Sequence, residues 1–437
     1  MNDPERARWQ EQSLLLAIAA AWLTVAYMYG RDLVPAPDAG FYAEAATGNY
    51  GALVQPFSKR VAAPFVAGLL VRQGWALFAA FWAITAVSLV GLLAAVRTTL
   101  TRYGVPKHPG VLLATVGTPA LMTMVKTVYM PDLLHTALVA VLVGVIAVAD
   151  GRVQRLALAV AVLLLAALAQ VTREATLLVV LVGGGLALLR RRWEIAAALV
   201  VGMMVGNMWA APFVAQGQGN VHGLGGGLYL LLKVPFNALS NLAGTRLWTN
   251  TFARLPGQCT PVAVMVLPDV LQRGDVHEIG RCAWNGLWML HVYIATFTVF
   301  GVLPGFVAGL TFRRQAVAAV RSAWPLALAF AWVYGVLSFV IGPMLGAGVD
   351  RLLAYGWPAF WIATPVLAVW ANVPRRDMAA VIAWTVGLAW AGWAMPESPR
   401  PLLLGLALFA VAVYGQVMAF RLGRRAAFPL PPRSDET

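Results

Sequence analysis

The chain contains repeated apolar runs, each about as long as a helix that crosses a lipid bilayer. A spanning helix needs about 20 consecutive, mainly apolar residues, and by that measure the sequence predicts about twelve segments. They cover residues 13–29, 75–96, 111–125, 133–149, 156–170, 175–189, 195–214, 288–312, 323–345, 359–373, 378–395 and 402–420. The predicted fold class is an all-α polytopic membrane protein, with residues 1–437 forming a single transmembrane domain.

The charge content supports this prediction and excludes other classes. Charged residues make up 11% of the chain, whereas a soluble domain carries about 25%. The formal net charge of +14 is explained by loop arginines facing anionic lipid, so we expect the lipid bilayer and not a nucleic acid as the partner of the basic surface.

The distribution of positive residues predicts the orientation. If the N-terminus is cytoplasmic and every segment crosses, each inner connection is short and basic, as with Arg190, Arg191 and Arg192. We therefore expect a multi-pass protein of the plasma (inner) membrane with both termini in the cytoplasm. Two long connections then lie outside: a first outer loop at residues 30–74, with an interfacial helix near residues 60–70, and a large outer loop at residues 215–286.

The first outer loop contains a candidate catalytic carboxylate. Asp38 follows Pro37 at the membrane boundary, where partial loss of water makes the pKa of a carboxylate adjustable and suits it to act as a general base. The alternative is that Asp38 only caps the helix that holds Tyr42 and Glu44.

Several residues of this loop together resemble the GT-C superfamily of membrane glycosyltransferases, polytopic enzymes that use lipid-phosphate-linked sugars on the outer face. The matching residues are Asp38, Tyr42, Gly51, Pro56, Phe57, Arg60 and Pro64. The resemblance implies that Asp38 is the catalytic base and that Tyr42 and Arg60 bind substrate. Many members have a second acidic residue directly after the first; here that position is Ala39, and Glu44 lies six residues beyond Asp38. The need for a divalent metal therefore stays open, and we assign no metal ligands.

Charged residues at other predicted outer boundaries extend the candidate site, since ionisable groups at membrane depth are costly unless paired or functional. Lys126 and Asp132 flank the next outer turn, and Asp132 matches an acidic position of GT-C enzymes; the alternative is a Lys126–Asp132 ion pair that closes the turn. Arg173 and Glu174 interrupt one long apolar run. Because neighbours on a helix point about 100° apart, each should have its own partner, and the resemblance makes Arg173 a candidate phosphate ligand.

The strongest candidate phosphate ligand is Arg351, which precedes Pro358 by seven residues, a spacing often found in GT-C members. A guanidinium matches phosphate geometry, although Arg351 could also extend to lipid headgroups. Tyr355, a further candidate for substrate binding, and Trp357 suit the aromatic belt of a membrane interface.

The large outer loop holds Cys259 and Cys282, and on an oxidising outer face we expect them to form a disulfide. Its glycine-rich run at residues 217–227 lacks the Lys-Ser/Thr of a phosphate-binding loop and suits a flexible lid or linker. Asn241 is one of several polar residues suited to binding sugar, a composition that is equally ordinary for a hydrated loop.

The sequence therefore predicts a hexosyl- or pentosyltransferase of the cell envelope. It would move a sugar from a polyprenyl-phosphate donor to a glycan or protein acceptor. A flippase or transporter of lipid-linked saccharides is the first alternative, and it would require charges along a central path. A glycan ligase or polymerase, relying on arginines without a catalytic aspartate, is the second.

Overall fold

The computed structural model describes residues 3–30, 37–53, 57–105, 117–149, 154–217, 234–235, 237–244, 247–248, 259–266, 276–282, 286–346, 348–394 and 402–431. Most of these residues are helical, as the apolar runs predict. In chain order the α-helices are α1 (Asp3–Tyr29), α2 (Pro37–Ala46), α3 (Ala62–Arg72), α4 (Leu77–Arg102), α5 (Pro119–Val125), α6 (Asp132–Val148), α7 (Arg155–Thr172), α8 (Thr176–Leu189), α9 (Trp193–Gln216), α10 (Gly286–Phe300), α11 (Leu303–Thr311), α12 (Gln315–Ala318), α13 (Leu326–Leu345), α14 (Val349–Ala354), α15 (Thr364–Trp370), α16 (Arg375–Trp393) and α17 (Leu402–Arg425).

Six of the described helices are long and apolar enough to cross a bilayer by themselves: α1, α4, α7, α9, α13 and α17. The pair α10 and α11 adds a seventh crossing if the two helices form one broken span. The predicted polytopic helical architecture is therefore confirmed. The predicted number of about twelve spans is not established, because other apolar runs fold as shorter helices such as α6 and α8.

The run at residues 288–312 was predicted as one helix, and the structure corrects this to two. Helix α10 ends at Phe300 and α11 starts at Leu303, with a bend of 73° between them. Gly301 at the bend has a φ of +55°, and a Cβ there would lie 2.4 Å from the backbone of Thr385. Glycine is therefore required both by the backbone conformation and by the close approach of α16.

Helices α7 and α9 pack backbone against backbone. A Cβ added at Gly202 would lie 2.4 Å from the carbonyl oxygen of Leu163, and one added at Gly206 would lie 2.6 Å from that of Ala167. This Gly-x-x-x-Gly spacing lets two membrane helices approach closely, since lipid provides little hydrophobic drive for helix association. The tight pair holds the α7–α8 turn, which carries Arg173 and Glu174.

The first outer loop is more structured than the sequence suggested. Its predicted interfacial helix at residues 60–70 is observed as α3 and packs closely on α2, where Gly68 approaches the carbonyl oxygen of Ala46. The opposite face of α3 exposes Val66 and Leu69. This two-sided character is compatible with the predicted interfacial position, which stays a prediction.

The large outer loop contains strands, which the all-α prediction did not include. Its described residues form a small antiparallel sheet of β1 (Leu247–Trp248), β2 (Cys259–Val266) and β3 (Val276–Cys282), in the order β1-β3-β2. In the register of β2 and β3, Cys259 lies opposite Cys282. Directly opposed strand positions have the separation that a disulfide needs. The disulfide between them stays a prediction, which a thiol count under denaturing, non-reducing conditions would test.

Candidate active site

Asp38, the candidate catalytic base, lies in the first turn of helix α2. Asp38 is the second residue of the helix, within its first turn, so it is not the cap of the alternative interpretation. A carboxylate there complements the positive end of the helix dipole. Its side chain is 32% exposed, and its Oδ2 lies 3.5 Å from Nη2 of Arg351. The structure therefore brings together the two residues that the sequence singled out for base and phosphate ligand.

Arg351 joins two carboxylates. Its Nη1 lies 3.8 Å from Oδ2 of Asp132, on the other side from Asp38. The charge of Asp132 raises the pKa of Arg351 and outweighs the opposing effect of burial, so the guanidinium stays cationic at every ordinary pH. Its side chain is 24% exposed, and a ligand can therefore reach it.

The chain leading into α14 is fixed by an amide from the large outer loop. The buried Asn241 donates hydrogen bonds to the carbonyl oxygens of Pro343 (2.6 Å) and Gly346 (2.9 Å). Its own oxygen accepts a bond from Nε1 of Trp288 at 3.0 Å. Asn241 therefore anchors the end of α13 just before Arg351. The structure gives it this positioning role in place of the sugar-binding role suggested by composition.

Asp132 is the fully buried centre of the site. It accepts hydrogen bonds from the guanidinium of Arg173 and from the hydroxyl of Tyr355. The Arg173 guanidinium also lies over the Tyr355 ring, 5.0 Å from its centroid. Burial raises the pKa of Tyr355 well above its usual value, so the phenol stays neutral and its hydroxyl donates a hydrogen bond to Asp132.

Two expectations about this centre are wrong. Asp132 pairs with Arg173 and Arg351, and not with Lys126 as the alternative interpretation had it. Tyr355 and Trp357 are buried in the protein and do not join an aromatic belt at the surface. The hydrogen bond to Asp132 makes the burial of Tyr355 favourable, because it satisfies the phenol hydroxyl within the protein.

Arg60 and Glu174 form the second half of the site. The Nε of Arg60 donates to Oε2 of Glu174 at 2.7 Å, and its Nη2 donates to Oε1, so the pairing is bidentate. The Nη1 of Arg60 also donates to the hydroxyl of Tyr42 at 3.0 Å. Arg173 and Glu174 therefore have separate partners, as expected, although both lie in the turn between α7 and α8 and not on a helix.

The electrostatics of this pair fix its ionisation. Partial burial raises the pKa of the Glu174 carboxyl, but Arg60 outweighs that effect and lowers it to about 2. Burial likewise acts to lower the pKa of Arg60, and Glu174 with Tyr42 raises it well above its usual value. Both residues are charged throughout the physiological range.

These contacts form two groups, Asp38–Arg351–Asp132–Arg173 and Arg60–Glu174, which the peptide bond between Arg173 and Glu174 joins. We call the two groups together the arginine–carboxylate network. Its members are Asp38, Asp132, Glu174, Arg60, Arg173 and Arg351, three carboxylates and three guanidiniums. Every guanidinium contacts a carboxylate, so the network is electrically balanced. It can offer a base at Asp38 and cationic groups for an anionic leaving group.

Two candidates lie outside the network. Glu44 is exposed on the far side of α2, and Lys126 lines a different cavity. The described residues contain no group of three His, Cys, Asp or Glu side chains that could hold a metal ion. The network carboxylates face guanidiniums, and such a donor set does not suit a divalent cation.

Sequence reasoning missed two polar residues beside the network. His135 is fully buried one turn after Asp132, with its ring centroid 5.6 Å from that of Tyr355. An acid and a histidine three residues apart share one helix face, and that spacing could have revealed it. Asp350 was overlooked beside the more conspicuous Arg351.

The fold and the site together define a polytopic helical membrane protein with a charged site at one end of its bundle. No protein-family model and no curated protein matches the chain. Among solved structures it is similar to ArnT from Cupriavidus metallidurans in the apo state, with a TM-score of 0.47 and 15% identity over 96% of this chain and 77% of that one. The similarity to the same protein bound to undecaprenyl phosphate has a TM-score of 0.44 and 14% identity, over 94% and 76% of the two chains. Because a TM-score below 0.5 does not establish a shared fold or activity, the functional assignment depends on the geometry of the site.

Proposed function

We propose that the protein is a membrane glycosyltransferase that moves a sugar from a polyprenyl-phosphate-linked donor to an acceptor hydroxyl, with Asp38 as general base. The observation that carries this proposal is the contact between Asp38 and Arg351, a carboxylate and a guanidinium 3.5 Å apart. Transfer of a sugar from a phosphate needs these two groups together: one accepts the proton of the nucleophile and the other stabilises the departing phosphate.

Exposure distinguishes the roles within the arginine–carboxylate network. Asp132 and Arg173 are buried, whereas Asp38 and Arg351 each retain about a quarter to a third of their side-chain exposure. A substrate can contact the exposed pair without disrupting the buried one. The buried pair is therefore assigned to positioning, and Asp38 and Arg351 to the reaction.

In the proposed reaction, Arg351 first exchanges its contact with Asp38 for a contact with the donor phosphate. The donor phosphate binds Arg351 and competes with Asp38, whose 3.5 Å contact is longer than an ideal charge-assisted hydrogen bond. Released from Arg351, the carboxylate of Asp38 is free to accept the proton of the acceptor hydroxyl. The acceptor oxygen then bonds to the anomeric carbon while the bond from that carbon to the phosphate oxygen breaks. A single displacement of this kind inverts the anomeric configuration, and polyprenyl phosphate or its pyrophosphate form departs with the electron pair.

The distribution of charge favours the outer face for this chemistry. Helix α8 has Arg173 and Glu174 before its first residue and the basic run of Arg190, Arg191 and Arg192 after its last. If α8 is one of the crossing helices, its two ends lie on opposite sides of the membrane, and clustered positive residues favour the cytoplasm. The network therefore belongs at the exterior side.

The experiment is transfer of radiolabelled sugar in proteoliposomes that contain the full-length protein. A panel of polyprenyl-phosphate hexoses and pentoses serves as donor, and a cell-envelope extract serves as acceptor. Asp38→Asn should lower the transfer rate about 100-fold or more, the usual contribution of a general base. Asp377→Asn, the same change in the first turn of α16, should leave the rate unchanged.

Full activity of Asp38→Asn would refute the assignment of the base. Movement of the labelled lipid to the opposite leaflet without loss of its sugar would instead indicate a flippase. Arg351→Gln provides a second measurement, because loss of the phosphate contact should weaken binding of the donor as well as slow its transfer.

A further inference from the structure

A second polar space lies on the other side of α14 from the arginine–carboxylate network. It is a cavity of about 130 Å³ between helices α5, α10, α14 and α16. Its polar and aromatic lining comes from Thr123, Lys126, His291, Thr298, Asp350 and Trp393. We call it the α14 cavity. Asp350 and Arg351 are adjacent on α14 and point about 100° apart, so one faces the cavity and the other faces the network.

Lys126 and Asp350 are the two formally charged residues of the α14 cavity. Among the residues that the structure describes, neither Lys126 nor Asp350 has a salt bridge or a side-chain hydrogen bond. They do not pair with each other either, although both line the same small space. In the network, by contrast, every arginine is matched by a carboxylate.

We propose that the α14 cavity is a saccharide-binding subsite that holds a neutral sugar ring through Asp350, Lys126 and the indole of Trp393. A sugar presents hydroxyl groups that both donate and accept hydrogen bonds. Asp350 accepts hydrogen bonds and Lys126 donates them. The two residues can therefore bind sugar hydroxyl groups both as donors and as acceptors. Trp393 supplies an apolar aromatic surface for the C–H face of the ring.

Other ligand classes fit the cavity less well. A phosphate would meet the carboxylate of Asp350, and like charges at close range disfavour binding. A simple cation would meet Lys126 in the same way. An apolar lipid chain would leave both charged groups without water or partners, which is costly. A neutral, multiply hydroxylated ligand satisfies both groups without adding charge.

The position of the subsite relates it to the reaction, and to that extent the inference rests on the proposed function. A sugar in the α14 cavity is separated from Arg351 only by the width of a short helix. The transferred sugar of the donor is bonded directly to the phosphate, so this distance favours a sugar unit of the acceptor, and the sugar of the lipid-linked donor is the other source to test. The chemistry of recognition is shared, and the experiment separates the two sources.

The experiment measures equilibrium binding to the full-length protein in nanodiscs. The probes are the panel of polyprenyl-phosphate hexoses and pentoses, polyprenyl phosphate without sugar, and free mono- and disaccharides added after saturation with polyprenyl phosphate. The variants are Asp350→Asn and Trp393→Leu. Matched controls are Asp377→Asn and Trp384→Leu, which change the same residue types on α16 away from the cavity.

For a donor-sugar subsite, both variants should weaken binding of the best lipid-linked sugar about tenfold and leave binding of sugar-free polyprenyl phosphate unchanged. For an acceptor-sugar subsite, the same loss should fall on the free saccharides. Equal binding of every probe by wild type and both variants would overturn the proposal. So would an equal loss for sugar-free polyprenyl phosphate, since the effect of the variants would then not depend on the sugar.

Binding does not require transfer, so the two proposals can fail separately. Asp38→Asn should bind the lipid-linked sugar at least as tightly as the wild type, because Asp38 no longer competes for Arg351, while losing transfer. A sugar-selective loss in Asp350→Asn in a protein that transfers nothing would support the subsite and reject the transferase.

Discussion

The arginine–carboxylate network and the α14 cavity lie on two sides of one short helix, yet they use charge in opposite ways. In the network, Arg60, Arg173 and Arg351 all contact carboxylates, and Asp132 is fully buried. In the cavity, Lys126 and Asp350 are both partly exposed and have no such contacts within the described part of the chain. The charges of the network are paired with each other, whereas the charged groups of the cavity remain able to bind a ligand.

A charged residue can stabilise the fold or bind a ligand. The two roles predict different changes in the free energy of unfolding when the residue is replaced. Removing one member of a buried pair leaves the other uncompensated and is strongly destabilising. Removing a partly exposed, unpaired group costs little. Stability measurements on matched variants can therefore test whether the two regions differ as the structure indicates.

The largest effect is expected at the buried centre of the network. Asp132→Asn removes the charge that balances Arg173, and breaking a buried pair in this way costs about 3–5 kcal/mol. The free energy of unfolding in detergent, from thermal or denaturant melting, measures this cost. Asp38→Asn is the control, with an expected change below about 1 kcal/mol because its pair is exposed. Similar losses for the two variants would contradict the assignment of separate roles.

A smaller effect is expected at the bidentate pair. Arg60→Lys keeps the positive charge but cannot reproduce the forked contact with Glu174 and the bond to Tyr42 together. We expect a loss of about 1–2 kcal/mol, between that of a neutral and a charge-assisted hydrogen bond. Tyr42→Phe removes only the last of these bonds and should cost less than Arg60→Lys; the reverse order would show that the fork contributes nothing.

Acid should reveal the same pair through its proton linkage. Because the pKa of Glu174 is lowered from 4.5 to about 2, the folded state binds this proton less readily than the unfolded state. The stabilisation is fully present above about pH 4.5 and is lost as the pH falls towards 2. The melting temperature of the wild type should therefore fall more steeply across this window than that of Glu174→Gln. Parallel curves would show that Arg60 does not hold the carboxylate in its charged form.

The smallest effect is expected in the α14 cavity. Asp350→Asn and Lys126→Gln should each change the free energy of unfolding by no more than about 0.5 kcal/mol, as for ordinary surface substitutions. The same melting assay checks this, beside Asp132→Asn as the sensitive reference. A loss of more than about 2 kcal/mol in either cavity variant would mean that its charge is paired in the fold, and the contrast between the two regions would fail.

The sequence predicted the broad architecture because apolar runs of membrane length have few alternatives. It predicted the number of spans less well. Hydropathy does not distinguish a crossing helix from a short buried one such as α6, and it did not detect the 73° bend at Gly301. Gly301 and Pro304 are local signals of a helix break, but the close approach of Thr385, more than eighty residues away in sequence, is visible only in the fold.

The candidate site shows the same division. Asp38, Arg351, Asp132 and Arg173 could be found because charged residues among apolar runs are conspicuous. Their pairings could not, since the sequence alone left Lys126 as the nearest apparent partner of Asp132. Asp350 shows the opposite problem: its position beside Arg351 was visible, but only the fold shows that it faces a separate cavity.

Helix α14 has only six residues, and it carries one charged residue of each site, Asp350 of the cavity and Arg351 of the network. The proposed phosphate ligand, Arg351, and the proposed sugar ligand, Asp350, are therefore joined by a single peptide bond. Because Asp350 and Arg351 are adjacent, a displacement of this short helix would move both residues together. The phosphate-binding position and the sugar-binding position would therefore shift as one.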